Sequence, residues 1–229
     1  MGEAVLGKKV GNRAPLWGAI AGTIPDLDVV ATPFLSTVDG ALFHRGFSHS
    51  MLFAVLLAPL LGWLIHRIYR QRKGSWRGWA WLSFWALVTH PLLDCFTNWG
   101  TQLFWPHASR LSWNTIFVID PLYTLPFLFF LVWALRKPRQ HPLRQRLNHV
   151  GIIISSLYLL VTVVNKQIVN GVFLDSLNRE LISVEQYQTM PTPLNNILWT
   201  VVAESEEEFY IGYYSLINSP TTISYRAFP

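Results

Sequence analysis

Five apolar runs dominate this chain, and most of its basic residues fall in the short stretches between them. The runs are residues 14–35, 51–65, 78–98, 116–135 and 150–165. A membrane-spanning helix needs about 17–25 predominantly apolar residues. Short or proline-interrupted runs still fit where neighbouring helices cover their backbone. The expected fold is therefore an all-α membrane bundle of about five transmembrane helices. Charged residues make up 14% of the chain, against about 25% in soluble domains. That excludes a coiled coil and a nucleic-acid-binding tail, and an apolar share of 51% excludes disorder. The mean hydropathy of +0.29 is modest, which fits a membrane portion joined to a polar one.

The loops carry the topology. Lys8, Lys9 and Arg13 precede the first run. Arg67, Arg70, Arg72, Lys73 and Arg77 join the second to the third, and Arg136, Lys137, Arg139, Arg144 and Arg146 join the fourth to the fifth. In an alternating chain these share one side, leaving Arg45, Arg110, Lys166, Arg179 and Arg226, five of the 18 basic residues, on the other. The positive-inside rule puts the larger set in the cytoplasm. The expected localisation is the bacterial inner membrane, multi-pass, with the C-terminal region extracytoplasmic.

Two domains are expected: a helical transmembrane domain over 1–165 and an extracytoplasmic α+β appendage over 166–229. In the appendage, residues 168–188 read as an amphipathic helix with Ile168, Val172, Leu174, Leu177 and Leu181 on one face. Ile197–Ala203 and Phe209–Ile217 read as two strands around the acidic turn Glu204–Glu208, a β-hairpin.

On this topology, ionisable residues from four separate places gather toward the outer face. Asp26 and Asp28 lie near the outer end of the first run, and His44 and His49 in the loop that follows. His90 and Asp94 close the third run, and Asp120 opens the fourth. Charge inside a membrane span is costly and usually functional. His90 and Asp94 are spaced i, i+4, so one helix face presents both to one ion. Asp26 and Asp28 do not share a helix face. After Pro25 an extended break would let both reach a site. The plain alternative is a polar helix break, just as a lone histidine in an apolar run is more often structural. Gly46 permits a turn, and Ser48 is expected to cap the next helix. Gly46-Phe47-Ser48-His49-Ser50 lacks the second glycine of a nucleophile elbow. The single cysteine, Cys95, excludes a disulfide framework and a cysteine-based zinc site. Imidazole with carboxylate suits zinc, manganese or iron. Arg45, the basic residue of that outer loop, would hold a phosphate or carboxylate, or else pair with Asp39. Asp120 would serve as a ligand or orient a ligating histidine.

Pro25-Asp26-Leu27-Asp28, His44-Arg45-Gly46-Phe47-Ser48-His49-Ser50 and His90-Pro91-Leu92-Leu93-Asp94, followed by Thr97 and Gly100, together resemble the YdjM-like family. This family of bacterial inner-membrane proteins is described as metal-dependent hydrolases. The resemblance covers about residues 2–135. It implies a membrane-bound hydrolase whose metal-site candidates are Asp26, Asp28, His44, His49, His90 and Asp94. Family members usually begin with a further apolar segment near an Asp-Ser-Leu-Thr motif. Gly2–Gly7 reads as the tail of it, so a sixth helix is expected to be missing at the N-terminus.

The function expected is hydrolysis of an ester or phosphoester, on a lipid or lipid-linked substrate, at the extracytoplasmic face. A divalent ion, zinc before manganese or iron, would be the cofactor, with Asp26 or Asp28 bridging metals or serving as the base and Arg45 binding the anion. Membrane lipids are the expected partners, and nucleic acid is not one. The rival reading is a proton- or metal-coupled transporter using the same His/Asp cluster. A third is a scaffold that recruits a partner through 166–229.

Overall fold

The computed structural model describes the chain apart from residues 37–38, 41–42, 70–73, 181–183, 207 and 219–222. Its helices are α1 (Gly2–Val10), α2 (Arg13–Thr23), α3 (Met51–Ile68), α4 (Trp76–Asp94), α5 (Pro121–Leu135) and α6 (Pro142–Arg179). A 3-10 helix, Pro25–Phe34, follows α2, and a 3-10 turn, Phe47–His49, precedes α3. Four strands close the chain: β1 (Gln186–Pro191), β2 (Leu198–Glu204), β3 (Phe209–Ser215) and β4 (Tyr225–Phe228). The contacts divide these into two compact units. One holds Met1–Cys95, Trp99–Ser112 and Phe127–Ile153. The other holds Phe96–Asn98, Trp113–Pro126 and Ile154–Pro229.

The first unit is built around α4, which packs against α1, α2 and α3. Ser50 and Ser75 fix where α3 and α4 begin, their hydroxyls accepting from the amides of Phe53 and Gly78. Along α3 a stripe of small residues, Ala54, Ala58 and Gly62, is buried. Small residues at every fourth position let two helix backbones approach closely. At Gly62 the approach leaves no room for a side chain, since a Cβ there would stand 2.4 Å from the Ala80 nitrogen. One cluster of Leu6, Val10, Ala14, Ile65, Trp79 and Leu82, and another of Ala54, Ala58, Leu87 and Val88, form the core. Glu3 and Arg144, both buried, join α1 to α6 by two hydrogen bonds of 2.6 Å.

Two of the described helices, α3 and α6, are long and apolar enough to cross a membrane. The expectation of about five is corrected to that extent. The first run is cut at Pro25, whose missing N–H ends α2 after 11 residues. α5 has only 15 residues. α4 is long enough, but its Ser, Thr, His and Trp lower its hydropathy. It buries Trp79, Leu82, Ser83, Ala86, Leu87 and Val88 among its neighbours, so little of it needs to be lipophilic. Where α3 and α6 qualify, Leu56, Leu60, Trp63, Leu157, Leu160 and Val164 are exposed. So much uncovered apolar surface suits hydrocarbon better than water.

In the second unit the end of α6 packs on an antiparallel sheet of order β1-β2-β3-β4. Val169, Phe173 and Leu177, one turn apart, meet Trp199, Val201, Ala203 and Tyr214 from the sheet's inner face. The expected hairpin is present as β2–β3, with Glu204 opposite Phe209. It is enlarged by β1, rich in polar residues, and by β4, only four residues long. The amphipathic helix needs correction on three counts. It is the continuation of the last apolar run, not a separate element. It stops at Arg179, and 186–188 belong to β1. Its buried face is only partly the one expected: Leu177 is buried and Val172 packs beside it, but Ile168 and Leu174 are exposed, with Val169 and Phe173 buried instead, and Leu181 lies outside the described residues.

Candidate metal centre

Three segments of the first unit build the site. The first is the 3-10 helix after Pro25, which replaces the extended break expected there. Three residues per turn set Asp26 and Asp28 about two-thirds of a turn apart, so they meet His49 at its two different nitrogens, Asp26 also facing His90 and Asp28 facing His44 and Ser48. The second is the loop His44–Ser50. Arg45 sits in the left-handed region (φ 60°) and turns the chain sharply. Such a conformation costs a non-glycine residue about 1–3 kcal/mol and persists only when its surroundings hold it. Here the Arg45 amide donates to Asp28 Oδ2 at 3.3 Å, and its carbonyl accepts from the Gln102 amide at 3.0 Å. Arg110 donates to the His44 carbonyl from the side. The third segment is the last turn of α4. It stays helical through Pro91 and so keeps His90 and Asp94 on one face.

Asp26 Oδ1, His49 Nε2 and His90 Nε2 form a triangle whose three sides are each 3.3 Å. They are a group that could hold a metal ion. A tetrahedral ion with bonds of 2.0–2.1 Å spaces its ligand atoms about 3.3–3.4 Å apart. An octahedral ion with bonds of about 2.3 Å gives nearly the same edge. Asp94 Oδ2 stands 3.3 Å from His90 Nε2 and 3.5 Å from His49 Nε2, a second triangle on the same pair of imidazoles. Lone-pair atoms facing one another this closely repel unless a proton or a cation lies between them. The residues present therefore fit a divalent ion. His49 is wholly buried, whereas the Asp26 side chain is 48% exposed, so the site is open on the Asp26 side.

Burial favours the neutral His49 imidazole, but hydrogen bonding to Asp26 and Asp28, with Asp94 nearby, outweighs it and raises its pKa above the ordinary histidine value.

The other candidates of the first unit stand around this centre. Asp28 Oδ1 accepts from His44 Nδ1 at 2.7 Å, and the His44 ring packs edge-on to His49. Arg45 is buried with Nη2 3.5 Å from Asp94 Oδ1, so its expected alternative partner, Asp39, is not the one it takes. Asp39 accepts from Ser36 instead. Asp120 belongs to the second unit. Its Oδ1 accepts from the amides of Leu122 and Tyr123 at the start of α5, and its Oδ2 accepts from the Tyr158 hydroxyl at 2.8 Å. Ser48, expected to cap the next helix, leaves that position to Ser50. Its hydroxyl lies between Asp28 and His49. Sequence reasoning missed that role. Two serines flank His49, and only the one three residues before the first free amide of α3 can cap it, so the other was free for the site.

Apolar, uncovered helices beside a partly buried His/Asp group are the features of a membrane protein with a candidate metal centre. The chain belongs to the YdjM inner membrane protein family, whose model matches residues 1–169. It is similar to the inner membrane protein YbcI of Escherichia coli (strain K12), 38% identical over 131 residues, which are 53% of this chain and 74% of that one. No solved structure matches it. The protein is thus one of the bacterial inner membrane.

Proposed function

We propose that this protein is a membrane-bound, metal-dependent hydrolase acting at the extracytoplasmic face on an ester or phosphoester of a lipid-linked substrate. The reading is carried by the triangle of Asp26, His49 and His90, open on one side, in an inner-membrane protein. Asp26, His49 and His90 would hold the ion, with Asp94 beside them. Two imidazoles with carboxylates favour zinc, then manganese or iron. Such an ion supplies a Lewis acid that activates water and polarises the bond to be cleaved. His44, half-buried at the edge of the cluster with its Nδ1 on Asp28, would take a proton from the attacking water and return one to the leaving group. Arg45, held beside Asp94, would steady the anionic part of the substrate. Asp120 holds the start of α5.

Elemental analysis of detergent-purified wild type and a His90→Ala/Asp94→Ala double variant tests this, alongside hydrolysis of a soluble phosphoester and of a phospholipid. Stoichiometric metal and hydrolysis, both lost in the variant, support the reading. Hydrolysis that survives the loss of metal refutes it. Metal binding with no hydrolysis, but with metal uptake into proteoliposomes, identifies a transporter instead.

A further inference from the structure

Asp28 was expected among the metal ligands, yet both oxygens of its carboxylate are bonded to protein groups. Its side chain is 6% exposed. Oδ1 accepts from His44 Nδ1 at 2.7 Å. Oδ2 accepts from the Ser48 hydroxyl at 2.6 Å and from the Arg45 amide at 3.3 Å, and it lies 3.4 Å from His49 Nδ1. An ionised carboxylate offers about two acceptor positions on each oxygen; Oδ2 has three close neighbours and Oδ1 has His44.

The directions of these bonds settle more than occupancy. A carboxylate only accepts, so the one hydroxyl proton of Ser48 goes to Asp28. Towards His49 Nδ1, 3.0 Å away, Ser48 can then only accept. His49 Nδ1 must therefore carry a proton. In the neutral ring the lone pair is left on Nε2, the atom that faces Asp26 and His90 at 3.3 Å.

We infer that Asp28 is a positioning residue which, through Ser48, fixes the tautomer and orientation of His49 so that the bare Nε2 faces the metal centre. The same carboxylate fixes His44 by its Nδ1 and holds the strained Arg45 turn between the two histidines. One buried carboxylate thus contacts His44, Arg45, Ser48 and His49 of that loop. Residues that orient a ligating histidine typically change metal affinity by about 10–100-fold, whereas loss of a ligand removes the site.

This inference rests on the metal-binding reading, and its test separates the two. Zinc affinity is measured by chelator competition on detergent-purified wild type, Asp28→Ala, Asp28→Asn, Ser48→Ala and His90→Ala. Nitrogen-15 NMR of the metal-free protein at mildly alkaline pH reports the His49 tautomer. The wild type is expected to bind zinc and show His49 protonated on Nδ1. Asp28→Ala and Ser48→Ala are expected to lose the Nδ1–H signature and bind zinc about 10–100-fold more weakly. Asp28→Asn, which keeps a carbonyl acceptor, recovers much of both and guards against a merely unfolded alanine variant. If Asp28→Ala abolishes binding as completely as His90→Ala, Asp28 is a ligand and the inference is overturned while the metal reading stands. Unchanged tautomer and affinity in Asp28→Ala overturn it equally. A wild type that binds no zinc removes the metal reading, and the inference with it.

Discussion

Replacing Arg144 by methionine should strip the first unit of much of its stability, and replacing Glu3 as well should give most of it back. Arg144 donates from Nε and Nη2 to the two Glu3 oxygens at 2.6 Å, and from Nη1 to the Lys137 carbonyl at 3.0 Å. Both side chains are at most 2% exposed. Gly7 is what makes room for the carboxylate, since a Cβ there would lie 2.3 Å from Glu3 Oε1. Arg144→Met leaves a buried carboxylate without its cation, which costs about 3–5 kcal/mol. For a protein of this size each kcal/mol moves the unfolding temperature by about 2–4 °C. The expected loss is therefore roughly 6–20 °C. Glu3→Met/Arg144→Met removes both charges and fills the space with apolar atoms, an exchange that is often neutral or stabilising. The assay is thermal unfolding in one detergent at one scan rate, followed by tryptophan fluorescence, to which the buried Trp79 contributes. Single variants that lose less than about 2 °C, or a double variant whose loss is the sum of the two, would refute the reasoning.

Three further outcomes are expected. Gly62→Ala should lower the unfolding temperature, because its Cβ meets the Ala80 backbone at 2.4–2.5 Å and overpacking costs about 1–3 kcal/mol. Gly171→Ala, with nothing within 4 Å, should be neutral or slightly stabilising, so equal losses in the two would discredit the close α3–α4 contact. Zinc affinity should fall on acidification. The raised pKa of His49 makes it hold its proton to a higher pH than an ordinary histidine, and a metal must displace that proton. A competition titration from about pH 5 to 8 that stays flat would contradict this. Finally, on the proposed topology, with the basic loops around 67–77 and 136–139 in the cytoplasm, alkaline phosphatase fused after Pro229 should be active and a green fluorescent protein fusion dark. The reverse result would invert the topology.

Parts of this molecule were legible from sequence because their geometry is local. His90 and Asp94 are four residues apart on one helix, and helical periodicity alone puts them side by side. The β2–β3 hairpin follows from two β-rich runs around an acidic turn. Asp26 and His49 are 23 positions apart, and only the co-occurrence of three short motifs brought them into one site. What the sequence hid depends on contacts made in three dimensions. Asp28 and Asp26 carry the same chemistry two positions apart, and their different duties appear only once the 3-10 helix turns one toward Ser48 and His44. The buried face of the C-terminal part of α6 was misjudged because Ile168, Val169, Val172, Phe173 and Leu174 crowd apolar groups around the helix. The sheet selects Val169, Phe173 and Leu177 from among them. The number of spanning helices was overstated because an apolar run does not reveal whether a proline divides it or neighbours enclose it.

The position of Cys95 has a practical consequence. It is the chain's single cysteine and fully buried, with its Sγ donating to the Pro91 carbonyl. A thiol reagent that cannot enter the packed helices will pass it by. The native protein is thus already a silent background for introducing cysteines one at a time. Its faces can be mapped in intact cells without first removing a residue from the helix that carries His90 and Asp94.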